Sequence, residues 1–110
     1  MLQSGDPMST ELVWSPQARE DLLDIYVYIG LDNPTAAEKL YTAIEVTAGH
    51  LAELPRLGTR RPEISATARV LIEGTYLILY ETHPDTDEGQ VERVEIVRVV
   101  DGRRDLTRPF

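Results

Sequence analysis

Residues 14–29 read WSPQAREDLLDIYVYI and decide the first half of the fold. Ser15-Pro16 predicts the start of a helix, because a serine side chain can accept a bond from a free backbone N–H and proline is tolerated at the first helical position. Apolar residues then recur every three or four positions, which is typical of a helix with one buried face. We therefore predict a first helix from Pro16 to Ile29, with an apolar stripe of Ala18, Leu22, Ile25, Tyr26 and Ile29.

The same start signal occurs at Asn33-Pro34, and a second apolar stripe follows it. This pattern predicts a helix from Pro34 to Leu54 whose buried face consists of Ala37, Leu40, Ile44, Ala48 and Leu51. Because only a few residues join the two segments, the helices should form an antiparallel hairpin. Helices of this length are marginal alone, so both stripes need a surface to pack against.

β-favouring segments flank the hairpin. Residues 11–15 predict a strand before it, and residues 69–73, 76–82 and 91–100 predict three strands after an intervening loop. The side chains of the middle segment alternate between two faces, with Tyr76, Ile78 and Tyr80 on one and Leu77 and Leu79 on the other. A strand, a helical hairpin and a three-stranded antiparallel meander together predict an α+β domain with both helices on one sheet face.

The composition fits one ordinary domain: the chain has 110 residues, of which 42% are hydrophobic and 27% charged. Residues 1–7 are interpreted as a disordered extension or cloning remnant, and residues 8–110 as a single domain. The chain has no cysteine and no apolar run that could span a bilayer, and its first residues do not predict a secretion signal. We expect a cytoplasmic protein without membrane association.

The net charge of −8 bears on the choice of partner. Affinity for nucleic acid comes mainly from Lys and Arg on phosphates, so an acidic chain is poorly suited to bind it alone. Residues 11–53 hold eight acidic and two basic residues, whereas residues 54–110 hold ten acidic residues and nine arginines. Any surface that faces an anion should therefore come from the second half, and direct sequence-specific binding of nucleic acid is not expected.

Four segments in this order resemble the RelE/ParE toxin superfamily of type II toxin–antitoxin systems. They are WSPQAREDLLDIYVYI (14–29), NPTAAEKLYTAIEVTAGHLAELPRLGTRRPEI (33–64), TYLILYE (75–81) and VEIVRVVDGRRDL (94–106). The likeness extends from about Leu12 to Leu106, and the last segment looks more like the ParE branch. The resemblance implies a toxin that is neutralised by a co-expressed antitoxin, whose C-terminal segment wraps around it. ParE-like members of the superfamily poison DNA gyrase, and RelE-like members cut messenger RNA on the ribosome. The resemblance alone does not choose between these mechanisms, because one fold can host different functions.

Two sets of residues are candidates for binding. Contacts with a target are expected from Arg60, Arg61, Arg98, Arg103 and Arg104, and contacts with an antitoxin from Leu23, Tyr26, Tyr76 and Tyr80. By strand period, Arg98 should share one face with Val94, Ile96 and Val100. Either its stem packs at the core edge, with the guanidinium paired to a carboxylate or extended to water, or the side chain contacts the target. Arg60 and Arg61 can also be interpreted as solvated loop charges. Tyr76 and Tyr80 can also be interpreted as residues at the rim of the core.

Catalysis has weaker support than binding. Cleavage of RNA needs a general acid, a general base and positive charge around the phosphate. Lys39 is the only lysine, and in the register of the resemblance Phe110 falls where a nuclease carries a proton-donating Tyr. His50 and His83 lie far apart in sequence, so no metal site and no cofactor are expected. We therefore predict a gyrase inhibitor that acts by binding, with a ribosome-dependent endonuclease and a relic that only binds an antitoxin as alternatives.

Overall fold

The structure, a computed structural model, describes residues 10–103. The order of elements is β1 (Glu11–Trp14), α1 (Pro16–Gly30), α2 (Pro34–Gly49), a 3₁₀ turn (His50–Ala52), β2 (Thr59–Arg60), β3 (Arg69–Glu73), β4 (Tyr76–His83) and β5 (Arg93–Asp101). The predicted α+β order is confirmed. The extension expected at residues 1–7, Arg104 and Phe110 lie outside the described residues. In the part of the chain that is described, neither helix is long and apolar enough to cross a membrane.

Both helices begin at the predicted capping residues. Ser15 Oγ accepts a hydrogen bond from the backbone N–H of Ala18 at 3.0 Å, and Asn33 Oδ1 accepts one from Ala36 at 3.0 Å. A proline follows each cap at the first helical position, where its missing N–H costs nothing. The second helix is shorter than predicted, because α2 ends at Gly49 and only a 3₁₀ turn continues the chain.

Five strands form one sheet in the order β1-β5-β4-β3-β2. The antiparallel meander β3–β4–β5 is confirmed, and its first turn contains Gly74 at φ 62°, a left-handed conformation that favours glycine. Strand β1 lies parallel to β5, with Glu11 beside Arg93. The two-residue strand β2, which the sequence analysis placed in a loop, pairs with β3. The short strands β1 and β2 thus form the two edges.

The main core lies between the helices and one face of the sheet. Its buried side chains include Leu22 and Ile44 from the helices and Ile78, Tyr80 and Ile96 from the sheet. Four residues of the predicted apolar stripes are only partly buried: Ile25, Tyr26, Ile29 and Leu40. A smaller cluster on the opposite face of the sheet consists of Val70, Leu77, Leu79 and Val100, with Ile64 packed against it. The predicted alternation along β4 is therefore confirmed.

Strand β5 contains a bulge that changes which side chains share a face. Its register pairs Tyr80 with Ile96 but Leu79 with Arg98, so Val97 is an extra residue. Beyond the bulge, Val99 joins the main core and Val100 the opposite cluster. The prediction that Val94, Ile96, Arg98 and Val100 share one face is therefore wrong, because the extra residue moves the alternation by one position.

Tyr80 connects the loop after the hairpin to the core. Its side chain is fully buried, and its hydroxyl accepts a hydrogen bond from the backbone N–H of Gly58 at 2.8 Å. A Cβ atom at residue 58 would lie 2.6 Å from the Val70 carbonyl oxygen and 2.7 Å from Cε1 of the Tyr80 ring, so only glycine fits there. The pKa of Tyr80 is raised above its ordinary value, chiefly because burial disfavours the phenolate.

Replacement Tyr80→Phe should lower the free energy of unfolding by about 1–3 kcal/mol, because the buried N–H of Gly58 loses its acceptor. Urea unfolding followed by circular dichroism measures the change. The matched control is Tyr28→Phe, at a side chain that is 75% exposed, where we expect a change within about 0.5 kcal/mol. Equal losses in the two variants would show that the Tyr80 hydroxyl does not support the loop.

Candidate functional site: two grooves on either side of helix α1

Helix α1 carries a carboxylate on the face that packs against β5. Asp21 is 8% exposed and adjoins the buried Leu22. Its Oδ2 accepts a hydrogen bond from Arg98 Nε at 2.7 Å, and its Oδ1 accepts one from Arg98 Nη2 at 3.0 Å. The same Oδ2 accepts a third bond from the backbone N–H of Val99 at 3.0 Å. A bidentate pair with a further backbone donor is among the stronger polar contacts in proteins.

This contact supplies hydrogen bonds to β5 where its edge neighbour β1 is too short to do so. β1 ends at Trp14, so β5 has no strand neighbour on that side beyond Ile96. Ser15 and Asp21 take over: the Ser15 backbone N–H donates to the Ile96 carbonyl at 2.9 Å, and its Oγ donates to the Val97 carbonyl at 3.0 Å. Further along β5, the Asp21 carboxylate accepts a hydrogen bond from the backbone N–H of Val99. These backbone groups of β5 are therefore satisfied by Ser15, the residue before α1, and by the Asp21 side chain within α1.

Of the two interpretations of Arg98, the structure shows the first, in which the guanidinium is paired with a carboxylate at the edge of the core. Its side chain is 20% exposed, and the hydrogen bond to Asp21 is the main cause that raises its pKa. Its partner, Asp21, was not among the residues predicted from the sequence. A signal was present, because Asp21 lies three residues after Ala18 and four before Ile25, in an otherwise apolar stripe.

An open groove of about 530 Å³ lies beside this pair, between α1 and the end of β5; we call it the α1–β5 groove. Its rim carries Tyr28, Tyr76 and Arg103, and the Arg103 Nε donates to Asp101 Oδ1 at 2.9 Å. The Arg103 side chain is 75% exposed. The pKa of Tyr76 is raised, first by burial and then by the charge of Asp101. The groove thus offers two aromatic rings and a guanidinium that is oriented by a neighbouring carboxylate.

Arg60 and Arg61 lie in another part of the sheet. Three strand spacings of about 4.8 Å separate β2 from β5, or about 14 Å. Arg60 pairs with Asp85 at 3.0 Å and with Asp87 at 2.9 Å in the β4–β5 loop. The hydrogen bond from Arg60 is the main cause that lowers the pKa of Asp87. Arg61 pairs with Glu63.

The five target-binding candidates therefore do not form one cluster. Arg98 and Arg103 line the α1–β5 groove, and Arg104 lies outside the described residues. Arg60 pairs with the acidic β4–β5 loop, and Arg61 pairs with Glu63. The buried Arg69, which is not among the target-binding candidates, also pairs with Asp87, at 3.0 Å.

A second groove, smaller at about 390 Å³, lies on the helical hairpin; we call it the hairpin groove. It is lined by Leu23, Tyr26, Glu38, Tyr41 and Thr42. The rings of Tyr26 and Tyr41 meet edge to face, with centroids 5.5 Å apart. Beside it, an apolar row at a spacing of four residues begins on α1 and ends at the residue after the helix: Leu23, Val27 and Leu31, which are 55%, 53% and 79% exposed.

The four antitoxin-binding candidates divide between different places. Leu23 and Tyr26 line the hairpin groove together, and Tyr76 lines the α1–β5 groove. Tyr80 has no exposed surface, and its hydroxyl is taken by Gly58. The expectation that Tyr80 contacts a partner is therefore wrong for this folded state, because the ring is enclosed by the core.

The helical hairpin on one face of a mostly antiparallel sheet defines a RelE/ParE-like α+β domain. The chain belongs to the family of ParE toxins of type II toxin–antitoxin systems (parDE), whose family model matches residues 12–106. A similar solved chain comes from the chromosomal ParDE TA system from P. aeruginosa. It is 22% identical, with a TM-score of 0.69, and the match covers 87% of this chain and 98% of that one. At this identity the likeness supports the fold alone. A comparison with curated proteins found no match.

Replacement Asp21→Ala should destabilise the domain by about 3–5 kcal/mol, because Arg98 and the Val99 N–H both lose the buried carboxylate to which they donate. Chemical unfolding measures the loss. The control is Glu45→Gln in the exposed pair with Arg19, which spans 3.3 Å with side chains 41% and 51% exposed. We expect that change to cost less than about 1 kcal/mol. Similar small losses in both variants would show that the buried pair does not hold the layers together.

Proposed function

We propose that this chain is a toxin that inhibits DNA gyrase by binding in the cytoplasm, and that a cognate antitoxin silences it by covering the helical hairpin. The observation that carries the proposal is membership of the ParE toxin family over residues 12–106. The two grooves supply a physical basis for the two partners.

The hairpin groove suits an antitoxin segment that is itself a helix. An amphipathic helix commonly binds by placing apolar side chains at helical spacing into a groove between helices. Leu23, Val27 and Leu31 offer such a row, and the Tyr26–Tyr41 pair offers the aromatic surface that often dominates binding energy. The acidic character of residues 11–53, including Glu38 at the groove, favours a partner segment that carries Arg or Lys beside its apolar residues.

The α1–β5 groove suits the contact with the target. Arginine and tyrosine are the residue types most enriched where binding energy concentrates, and the rim of this groove carries Tyr28, Tyr76 and Arg103. Carboxylate partners raise the pKa of Arg98 and Arg103 further. A guanidinium is in any case a poor proton donor near neutral pH. These arginines therefore fit recognition better than acid–base chemistry.

For the antitoxin surface, Leu23→Glu should weaken binding of the protein encoded beside this gene by about 30-fold or more, since a charge would occupy an apolar contact. Calorimetric titration measures the affinity. The matched control is Ile72→Glu, at an exposed isoleucine on β3, for which we expect unchanged affinity. Normal binding by the Leu23 variant, or an equal loss in the Ile72 variant, would remove the hairpin groove from the interface.

For the target, the purified toxin should inhibit DNA supercoiling by gyrase, and a double variant with Arg103→Ala and Arg104→Ala should need at least about 30-fold more protein for the same inhibition. Lys39→Ala, on α2, removes a positive charge elsewhere and should leave inhibition unchanged. Primer extension on translated messages is run in parallel. Codon-phased cuts there, with no effect on supercoiling, would replace gyrase with the ribosome as the target.

A further inference from the structure

Three metal-ligating side chains meet on the face of the sheet that points away from the helices. Glu81 on β4 lies directly opposite Glu95 on β5, and His83 lies two residues beyond Glu81. Residues two apart on a strand point to the same side. Their strand neighbours Tyr80 and Ile96 are buried in the main core, so this set faces the other way.

The donor atoms of this set converge on one point. His83 Nε2 lies 3.9 Å from Glu81 Oε1 and 3.8 Å from Glu95 Oε1, and the ligand atoms of the three residues all lie within 4.8 Å of one another. These distances are too long for hydrogen bonds. They are close to the spacing of about 3.4 Å between two ligands of a tetrahedral zinc ion with bonds of about 2.1 Å. Small side-chain rotations would therefore bring the three ligand atoms to the distances of a zinc coordination shell.

Two further observations point to a cation. Among residues 10–103, His83 Nε2 is buried without a hydrogen-bond partner. Glu81 Oε2 accepts a hydrogen bond from Thr67 Oγ1 at 2.7 Å, which fixes the carboxylate and leaves Oε1 directed towards His83. Support of this kind behind a ligand is usual at metal sites.

The charges around the set also favour a cation. Like charges directly opposite each other on neighbouring strands destabilise a sheet, and Glu81 and Glu95 are such a pair. Glu11 and Glu92 line the adjoining cavities together with Arg93, so acidic groups outnumber the basic ones there. A divalent ion between the two carboxylates would attract both of them and so offset their mutual repulsion.

We propose that Glu81, His83 and Glu95 form a binding site for one divalent transition-metal ion of the zinc type. The imidazole nitrogen favours zinc, cobalt or nickel over magnesium and calcium, which prefer oxygen ligands alone. With three protein ligands, a water molecule completes a tetrahedral shell. The ion would join β4 to β5 where the side chains on this face change from apolar to polar.

The first test is titration of the untagged, chelator-treated full chain with Zn²⁺ by calorimetry, and with Co²⁺ by visible absorption. We expect one ion per chain, a cobalt spectrum of a four-coordinate site and a rise in melting temperature, because the ion binds the folded state. Mg²⁺ at the same concentration should leave the melting temperature unchanged. No stoichiometric binding, or an equal response to Mg²⁺, would overturn the proposal.

Two variants and a matched control locate the site. His83→Gln and Glu95→Gln should each weaken Zn²⁺ binding at least 10-fold, whereas His50→Gln, at the only other histidine, should bind normally. Glu95→Gln also relieves the cross-strand repulsion, so the metal-free variant should melt no lower than the parent chain and yet lose the zinc-induced rise. This readout distinguishes a lost ligand from a damaged fold. Loss of binding in the His50 variant, or full binding in the Glu95 variant, would contradict the site.

Discussion

The carboxylate of Asp21 joins the two layers of this domain. Removing a charge from water costs several kcal/mol, and here that cost is offset by hydrogen bonds from Arg98 and from the backbone N–H of Val99. The need for the contact arises from β1, which stops before β5 does and leaves backbone groups open at the edge of the sheet. Helix α1 is thereby fixed against β5. Both grooves depend on this position, because Tyr28 on α1 contributes to the α1–β5 groove and Leu23 to the hairpin groove.

Several arginines of this acidic chain are paired with its own carboxylates. Arg60 and Arg69 meet on Asp87, and Arg56 donates to the Thr86 carbonyl at 2.9 Å, so three arginines fix the β4–β5 loop. Arg103, at the rim of the α1–β5 groove, keeps most of its side chain exposed while Asp101 orients it. A pre-oriented guanidinium loses less conformational entropy on binding than a free one. An overall charge of −8 is therefore compatible with a local arginine surface for a partner.

One face of β4 changes character along its length. Leu77 and Leu79 pack in the smaller apolar cluster, and two positions further the same face carries Glu81 and then His83. Apolar packing across the β4–β5 pair is thus replaced by a group of ionisable side chains. Without a cation, the direct opposition of Glu81 and Glu95 works against strand pairing at that point. The metal site that we propose would stabilise the pairing where apolar contacts are absent.

The sequence by itself determined the elements whose signals are local. Ser15-Pro16 and Asn33-Pro34 start the helices because capping involves only neighbouring residues, and the alternation along β4 follows from the strand period of two. Only the tertiary structure decided the pairing of Asp21 with Arg98, which are 77 positions apart. It also decided the parallel place of β1, the bulge at Val97, the burial of Tyr80 and the meeting of Glu81, His83 and Glu95. These features depend on strand register and layer packing, and a one-residue change of register moves every following side chain to the other face.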